Sequence, residues 1–141
     1  MPLITPFDPW KSPLCHCPPK YSFSPYTGCS HRCAYCYITS YIPKAFDCRP
    51  KDNLVVRLGR EIRRLDRKIP IAISSSSDPY VPMEMSTNLT RDTLLLLTQN
   101  GFKVLLVTKS NLVARDIDII KQARCSVSMT ITTLQTAIAN L

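Results

Sequence analysis

The chain has 141 residues, 45% of them apolar and 20% charged, which is the length of one ordinary domain with enough apolar content to bury a core. No apolar run approaches the ~18 residues that a membrane span needs. Only three glycines occur, none of them in a GxGxxG or GxxxxGK pattern, so a dinucleotide-binding fingerprint and a P-loop are both excluded. The net charge is +8, and residues 49–68 supply +5 of it, with eight basic side chains against Asp52, Glu61 and Asp66.

Residues 1–20 form a proline-rich lead-in with neither helical nor strand period, expected to pack as extended backbone ahead of a core over 21–141. Such a start does not look like a secretory signal. Residues 21–27 alternate aromatic and small polar side chains, which predicts a short strand ending at Gly28, followed at once by a cysteine cluster. From Leu54 the apolar positions Leu54, Leu58, Ile62, Leu65 and Ile69 recur at three and four, one face of a helix that Pro70 stops. On the other face, Arg57, Arg60, Arg64 and Arg67 form a basic stripe open to water or to a nucleic acid.

A strand over 71–75 runs into the polar string Ser74-Ser75-Ser76-Ser77-Asp78-Pro79-Tyr80. A helix over 90–100 ends at Gly101, a good residue for the position past a helix terminus. Residues 102–108 predict a strand, and Val113, Ile117 and Ile120 mark another amphipathic helix. Residues 125–131 alternate Val127, Met129 and Ile131 with Ser126, Ser128 and Thr130. Thr132 and Gln135 are placed to cap a further helix.

Strands near 21, 71, 103 and 125, separated by helices, describe repeated βα units with right-handed crossovers. A buried parallel strand with one polar face fits a strand lining a ligand cavity. The expected fold is therefore α/β, a partial (β/α) barrel of about four parallel strands that stops before closure. A half-barrel leaves an exposed edge, so a second chain supplying the missing half, or a catalytically inactive fragment, enters as an expectation.

The seven cysteines are an odd number and, in a chain rich in regular structure, are expected to be reduced, which points to the cytoplasm. Three of them stand in Cys29-Ser30-His31-Arg32-Cys33-Ala34-Tyr35-Cys36-Tyr37, a CxxxCxxC run. Three thiolates in eight residues can hold three irons of a [4Fe–4S] cube and leave the fourth open to a small molecule. For zinc the set is one ligand short, and His31, Cys48, Cys15 or Cys17 would have to supply it in a structural module.

The spacing, with aromatic Tyr35 before the third cysteine, is similar to the signature of the radical S-adenosylmethionine (SAM) superfamily. Further blocks keep the same order along the chain: residues 25–37, then Ser77-Asp78-Pro79-Tyr80 with Pro82 and Glu84, then Thr90-Arg91, Thr108-Lys109-Ser110 and Arg115-Asp116-Ile117-Asp118. Together they resemble the spore photolyase-like family of radical SAM proteins.

The resemblance implies a [4Fe–4S] cluster on Cys29, Cys33 and Cys36, with SAM chelated to the open iron. An electron donor reduces the cluster, SAM is cleaved, and the resulting 5′-deoxyadenosyl radical abstracts a hydrogen from substrate. In the family this serves DNA lesion repair, so a nucleic acid is the implied substrate and a photolyase-like lyase the implied enzyme. It places Tyr35 beside the adenine, Tyr37 close to SAM and to hydrogen transfer as the catalytic residue, and Ser77 and Asp78 at the SAM amino group. Lys109 is implied to pair with the SAM carboxylate, and Ser128 to contact SAM. Spore photolyase carries a hydrogen-donating cysteine where this chain has Ser75, whose O–H bond is too strong for that role.

Overall fold

The computed structural model describes residues 2–7, 18–74 and 76–135. Cys15, Cys17, Ser75 and the helix expected after Gln135 lie outside them. The main sheet has five strands: β1 (Thr5–Phe7), β2 (Lys20–Phe23), β5 (Ile71–Ile73), β6 (Val104–Thr108) and β7 (Cys125–Met129), in the order β1-β2-β5-β6-β7. The last four are parallel, with Tyr21 opposite Ile71, Ile71 opposite Val104 and Val104 opposite Cys125. This is the expected mixed α/β architecture with a parallel sheet.

Helices α1 (Leu54–Glu61), α3 (Leu89–Gln99) and α4 (Ile117–Gln122) make the crossovers, with the short α2 (Glu84–Thr87) leading into α3. The core lies between sheet and helices. Phe23, Ile71, Ile73, Val104 and Leu106 from the strands meet Leu54, Leu58, Leu94, Leu97 and Ile119 from the helices. Burying each such side chain contributes roughly 1.5–3 kcal/mol, and β5 is buried along its whole length. Gly59 in α1 approaches α3 at Leu96 Cδ2, so the two helices pack closely there.

Four expectations are corrected. The lead-in is not devoid of strand: β1 pairs antiparallel with β2, Thr5 opposite Ser22. The Glu61 carboxylate accepts the backbone N–H groups of Leu3 and Ile4 (2.8–3.1 Å), which ties this segment down despite its prolines. The strand expected over 21–27 is two strands. β2 ends at Phe23, and β3 (Tyr26–Thr27) leaves the main sheet to pair with β4 (Arg49–Pro50) in a second sheet.

The helix expected through Ile69 is α-helical only to Glu61, with a 3₁₀ turn at Ile62–Arg64. Asp66 Oδ1 accepts the Lys68 N–H at 2.9 Å, a local turn that competes with helix continuation before Pro70 is reached. Finally, β7 is not buried on both sides. Among the described residues it pairs only with β6, and all of its residues after Cys125 are exposed, as for an outer strand.

Candidate functional site

Residues 28–48 are an excursion closed at its base by the β3–β4 pair. Gly28 starts it with φ +76°, and a Cβ there would lie 2.6 Å from the Asp47 carbonyl oxygen and 2.9 Å from that of Ala45. Only glycine fits both the backbone conformation and the space. The chain then turns inward, Cys29 N–H donates to the Ala45 carbonyl (2.8 Å), and Cys29 is buried with Tyr26, Ile38, Ala45, Cys48 and Val81. Burial pushes the Cys29 thiol up from its ordinary value.

Cys29, Cys33 and Cys36 line one cavity of about 190 Å³, as do Tyr35, Tyr37, Ser77, Asp78 and Lys109. The opposite wall comes from the C-terminal ends of β5, β6 and β7, through Ser74, Ser76, Val107, Thr108 and Thr130. Ligands of parallel α/β folds gather at this end of the strands. Ser74, the first residue after β5, has φ +108°, a strained conformation for a side chain with a Cβ, which costs of order 1–3 kcal/mol.

Asp78 organises the floor. It is buried; Oδ1 accepts Thr108 Oγ1 (2.6 Å) and the Tyr80 N–H (2.9 Å), and Oδ2 accepts the Lys109 N–H (2.9 Å). Its carboxylate thus stitches the loop after β5 to the end of β6. Ser77 is also turned inward, sharing a hydrogen bond with Ser24 (2.8 Å) and donating to the Tyr26 carbonyl (3.1 Å). Tyr35 and Tyr37 stand at the mouth, 65% and 67% exposed.

Lys109 reaches back across the cavity. Its ammonium donates to Cys33 Sγ (3.2 Å) and Tyr35 Oη (2.8 Å) and lies 4.9 Å from the Tyr35 ring centroid. Burial alone would lower its pKa, but the bonds to Tyr35 and Cys33 outweigh it and hold the group protonated. Ser128 is exposed in β7, opposite Val107, and is not part of the cavity lining; Thr130, on the same face at the strand end, is. Its N–H donates to the Thr108 carbonyl (2.9 Å).

Behind the floor lies a buried charge network. Glu84 accepts Tyr26 Oη, the backbone N–H of Thr90 (2.8 Å) and Arg115 Nη2 (2.7 Å). Asp116 accepts Arg91 Nη1 (2.8 Å), Arg115 Nε (2.8 Å) and Tyr80 Oη (3.1 Å). Both carboxylates are fully buried. Glu84, Arg91, Arg115 and Asp116 therefore brace the loop 77–80 from behind and do not line the cavity.

Of the remaining flagged residues, His31 Nε2 lies 3.8 Å from Asp78 Oδ2. Cys48 is buried beside Cys29, its thiol pushed up to about 11 by burial and by Cys29. Cys125 opens β7, at the opposite end of the sheet from the cavity. Sequence reasoning missed Thr108 and Thr130 as cavity residues and Ser24 as a support; the only signal for the threonines was their position at the polar ends of strands.

Among the described residues, no three His, Cys, Asp or Glu side chains are gathered as tightly as one metal ion requires. A cube-shaped cluster asks for something different, three thiols each taking a separate iron, and Cys29, Cys33 and Cys36 around one cavity with no disulfide among them supply that donor set. The residues present fit a [4Fe–4S] cluster with one open iron.

Residues 23–140 match the radical SAM superfamily. An uncharacterized protein of Methanocaldococcus jannaschii is 33% identical, with 83% of this chain and 44% of that protein covered. An uncharacterized protein of Mycobacterium tuberculosis is 29% identical, with 81% of this chain and 36% of that protein covered. A third, from Acidianus two-tailed virus, is 29% identical over 81% of this chain and 42% of its own length. The chain thus spans about two fifths of the length of these relatives. No solved structure matches it at a significant level.

Proposed function

The chain belongs to the radical SAM superfamily, and we propose that its cavity binds a [4Fe–4S] cluster and SAM and cleaves SAM reductively to begin a hydrogen abstraction. The observation that carries this reading is the convergence of Cys29, Cys33 and Cys36 with Lys109 and a set of hydroxyls at the C-terminal ends of the parallel strands. When bound, the cluster supplies one electron to the sulfonium of SAM, giving methionine and a 5′-deoxyadenosyl radical.

The protein's own residues supply position and charge. Gly28 and the β3–β4 pair aim the three thiols into one cavity. Asp78 fixes the Lys109 backbone, and the Lys109 ammonium offers charge to the SAM carboxylate. The Tyr35 ring presents a face for adenine. Ser77 and Asp78 are the proposed amino-group end of the SAM site, Thr130 of the lining, two residues on from Ser128, a further contact, and Tyr37 the residue beside hydrogen transfer. A low-potential electron donor is required, and a reducing compartment such as the cytoplasm suits both the cluster and the thiols. Further strands, from a longer form or a second chain, would extend the cavity wall beyond β7.

The test is 5′-deoxyadenosine formation from SAM by the full chain, reconstituted and reduced with dithionite without oxygen, beside Cys33→Ala. Product in the wild type alone, with iron and acid-labile sulfide bound, is the expected result. Zinc without sulfide would replace this reading with a structural metal module, and a full cluster without product would mean a catalytically inactive chain.

The proposed substrate is a component of a nucleic acid, as in lesion repair of the photolyase-like kind. What supports nucleic-acid binding, as distinct from delivery of a base to the cavity, is charge placed at the other end of the sheet: exposed Arg67 and Lys68 precede β5, Lys103 precedes β6 and Arg124 precedes β7, so adjacent strands open with a row of cations. This pole is separated from the cavity by the length of β6, five residues or ~16 Å. It would anchor a backbone without presenting a base to the site. Four phosphate contacts predict a loss of about 150-fold in affinity for a labelled 20-bp duplex between 50 and 200 mM salt. A flat salt response would remove nucleic acid as the substrate class.

A further inference from the structure

Lys109 has a place in the cavity that no pairing with SAM explains. It is the one cation among the described residues lining the cavity, and its ammonium lies against the sulfur of a proposed iron ligand, 3.2 Å from Cys33 Sγ. The position is built. The Lys109 N–H is held by Asp78, the side chain is steered by Tyr35 Oη at 2.8 Å, and Asp78 is itself held by Thr108 and Tyr80. An ammonium has three protons. Two are committed to Cys33 and Tyr35, which leaves one for an anionic ligand.

We propose that Lys109 sets the reduction potential of the cluster by donating a hydrogen bond to the sulfur of Cys33, an inference that rests on the cluster reading above. A [4Fe–4S] centre held by three thiolates becomes more negative when it takes one electron. A fixed positive charge at the thiolate sulfur therefore stabilises the reduced form more than the oxidised one and raises the potential. One electron enters from a low-potential one-electron donor, no covalent bond changes, and Lys109 keeps its three protons throughout. Tyr35 acts with it by limiting where the ammonium can go, so Lys109 is a positioning residue for reduction as well as a contact for SAM.

The experiment is a potentiometric titration of the reconstituted full chain, followed by the electron paramagnetic resonance of the reduced cluster, with no SAM present. Without SAM, a lost carboxylate contact cannot contribute. Lys109→Met is expected to disfavour reduction at least tenfold, which for a one-electron couple is 59 mV to lower potential. Lys109→Arg, which keeps the charge and a donor, is expected to retain most of the wild-type value. Where the methionine variant holds too little iron and sulfide to titrate, Lys109→Gln takes its place.

A change of less than twofold in the neutral variant overturns the inference while leaving the cluster reading intact. An equal drop in Lys109→Arg overturns it too, because the effect would then follow side-chain packing and not charge. A wild-type chain that takes up no cluster would overturn both.

Discussion

Replacing Asp116 by asparagine tests whether the buried charges behind the cavity hold the fold together. The carboxylate is fully buried and accepts from Arg91, Arg115 and Tyr80. Removing one partner of a buried ion pair typically costs 3–5 kcal/mol. Here the cost is lower, because each arginine is about a quarter exposed and keeps a second carboxylate, Asp118 for Arg91 and Glu84 for Arg115. About 2–3 kcal/mol is expected for Asp116→Asn, or roughly 6–10 °C in melting temperature for a chain of this size. Circular dichroism melts of the apo protein at pH 7.5 measure it.

The sign of the pH dependence follows from the same contacts. Burial pushes the Asp116 carboxyl up, but hydrogen bonds from Arg115 and Arg91 outweigh it and hold the group below the ordinary carboxylate range. A depressed folded-state pKa contributes stability that is complete above the unfolded value near 4 and is lost as pH falls through the folded value. The gap between wild type and Asp116→Asn should therefore narrow from pH 5 toward pH 3. A melting difference under 2 °C at pH 7.5, or a gap that widens in acid, would refute the reasoning.

Two further substitutions probe the backbone. Gly28→Ala must leave the left-handed region or push a Cβ into the Asp47 and Ala45 carbonyls, and neither obstacle is a flexible side-chain end. About 2–4 kcal/mol and most of the bound iron should be lost, and full iron with an unchanged melt would show that the turn relaxes. Gly59→Ala is expected to do the reverse. Its Cβ would sit 3.9 Å from Leu96 Cδ2, an ordinary contact, and a helix gains about 0.5–1 kcal/mol from the exchange; a lower melting temperature would mean that α1 and α3 pack too closely for a methyl group.

The parts of the fold visible in the sequence were those set by periodicity over many residues. The parallel order of β2, β5, β6 and β7 and the apolar face of α1 were of this kind, and so was the cysteine run, because ligand spacing is itself a sequence property. What was hidden depended on partners far along the chain. The lead-in became strand β1 because Glu61 holds Leu3 and Ile4 across more than fifty residues. The first helix tightens into a 3₁₀ turn, and Leu65 is extended ahead of the Asp66–Lys68 bond, none of which apolar spacing registers. Glu84, Arg115 and Asp116 stood in separate blocks of the sequence, and nothing local reveals that they meet in one buried network.

The same network bears on the electrostatics of the site. Carboxylates next to an anionic cluster would oppose its reduction, and this chain engages each acidic group near the cavity from within, Glu84 and Asp116 by arginines and Asp78 by neutral donors. Asp78 is filled by Thr108, Tyr80 and Lys109, while Glu84 and Asp116 are filled by tyrosines and arginines on the side away from the thiols. Besides Asp78, the polar groups of the described residues that line the cavity are hydroxyls, thiols and one ammonium. In this lining the one cation is held against Cys33, while the Asp78 carboxylate is taken up by neutral donors from the floor. Asp78 thus matters to the cavity less for what it offers a ligand than for where it puts Lys109. A substitution such as Asp78→Asn should accordingly weaken the placement of Lys109 before it weakens any contact of its own.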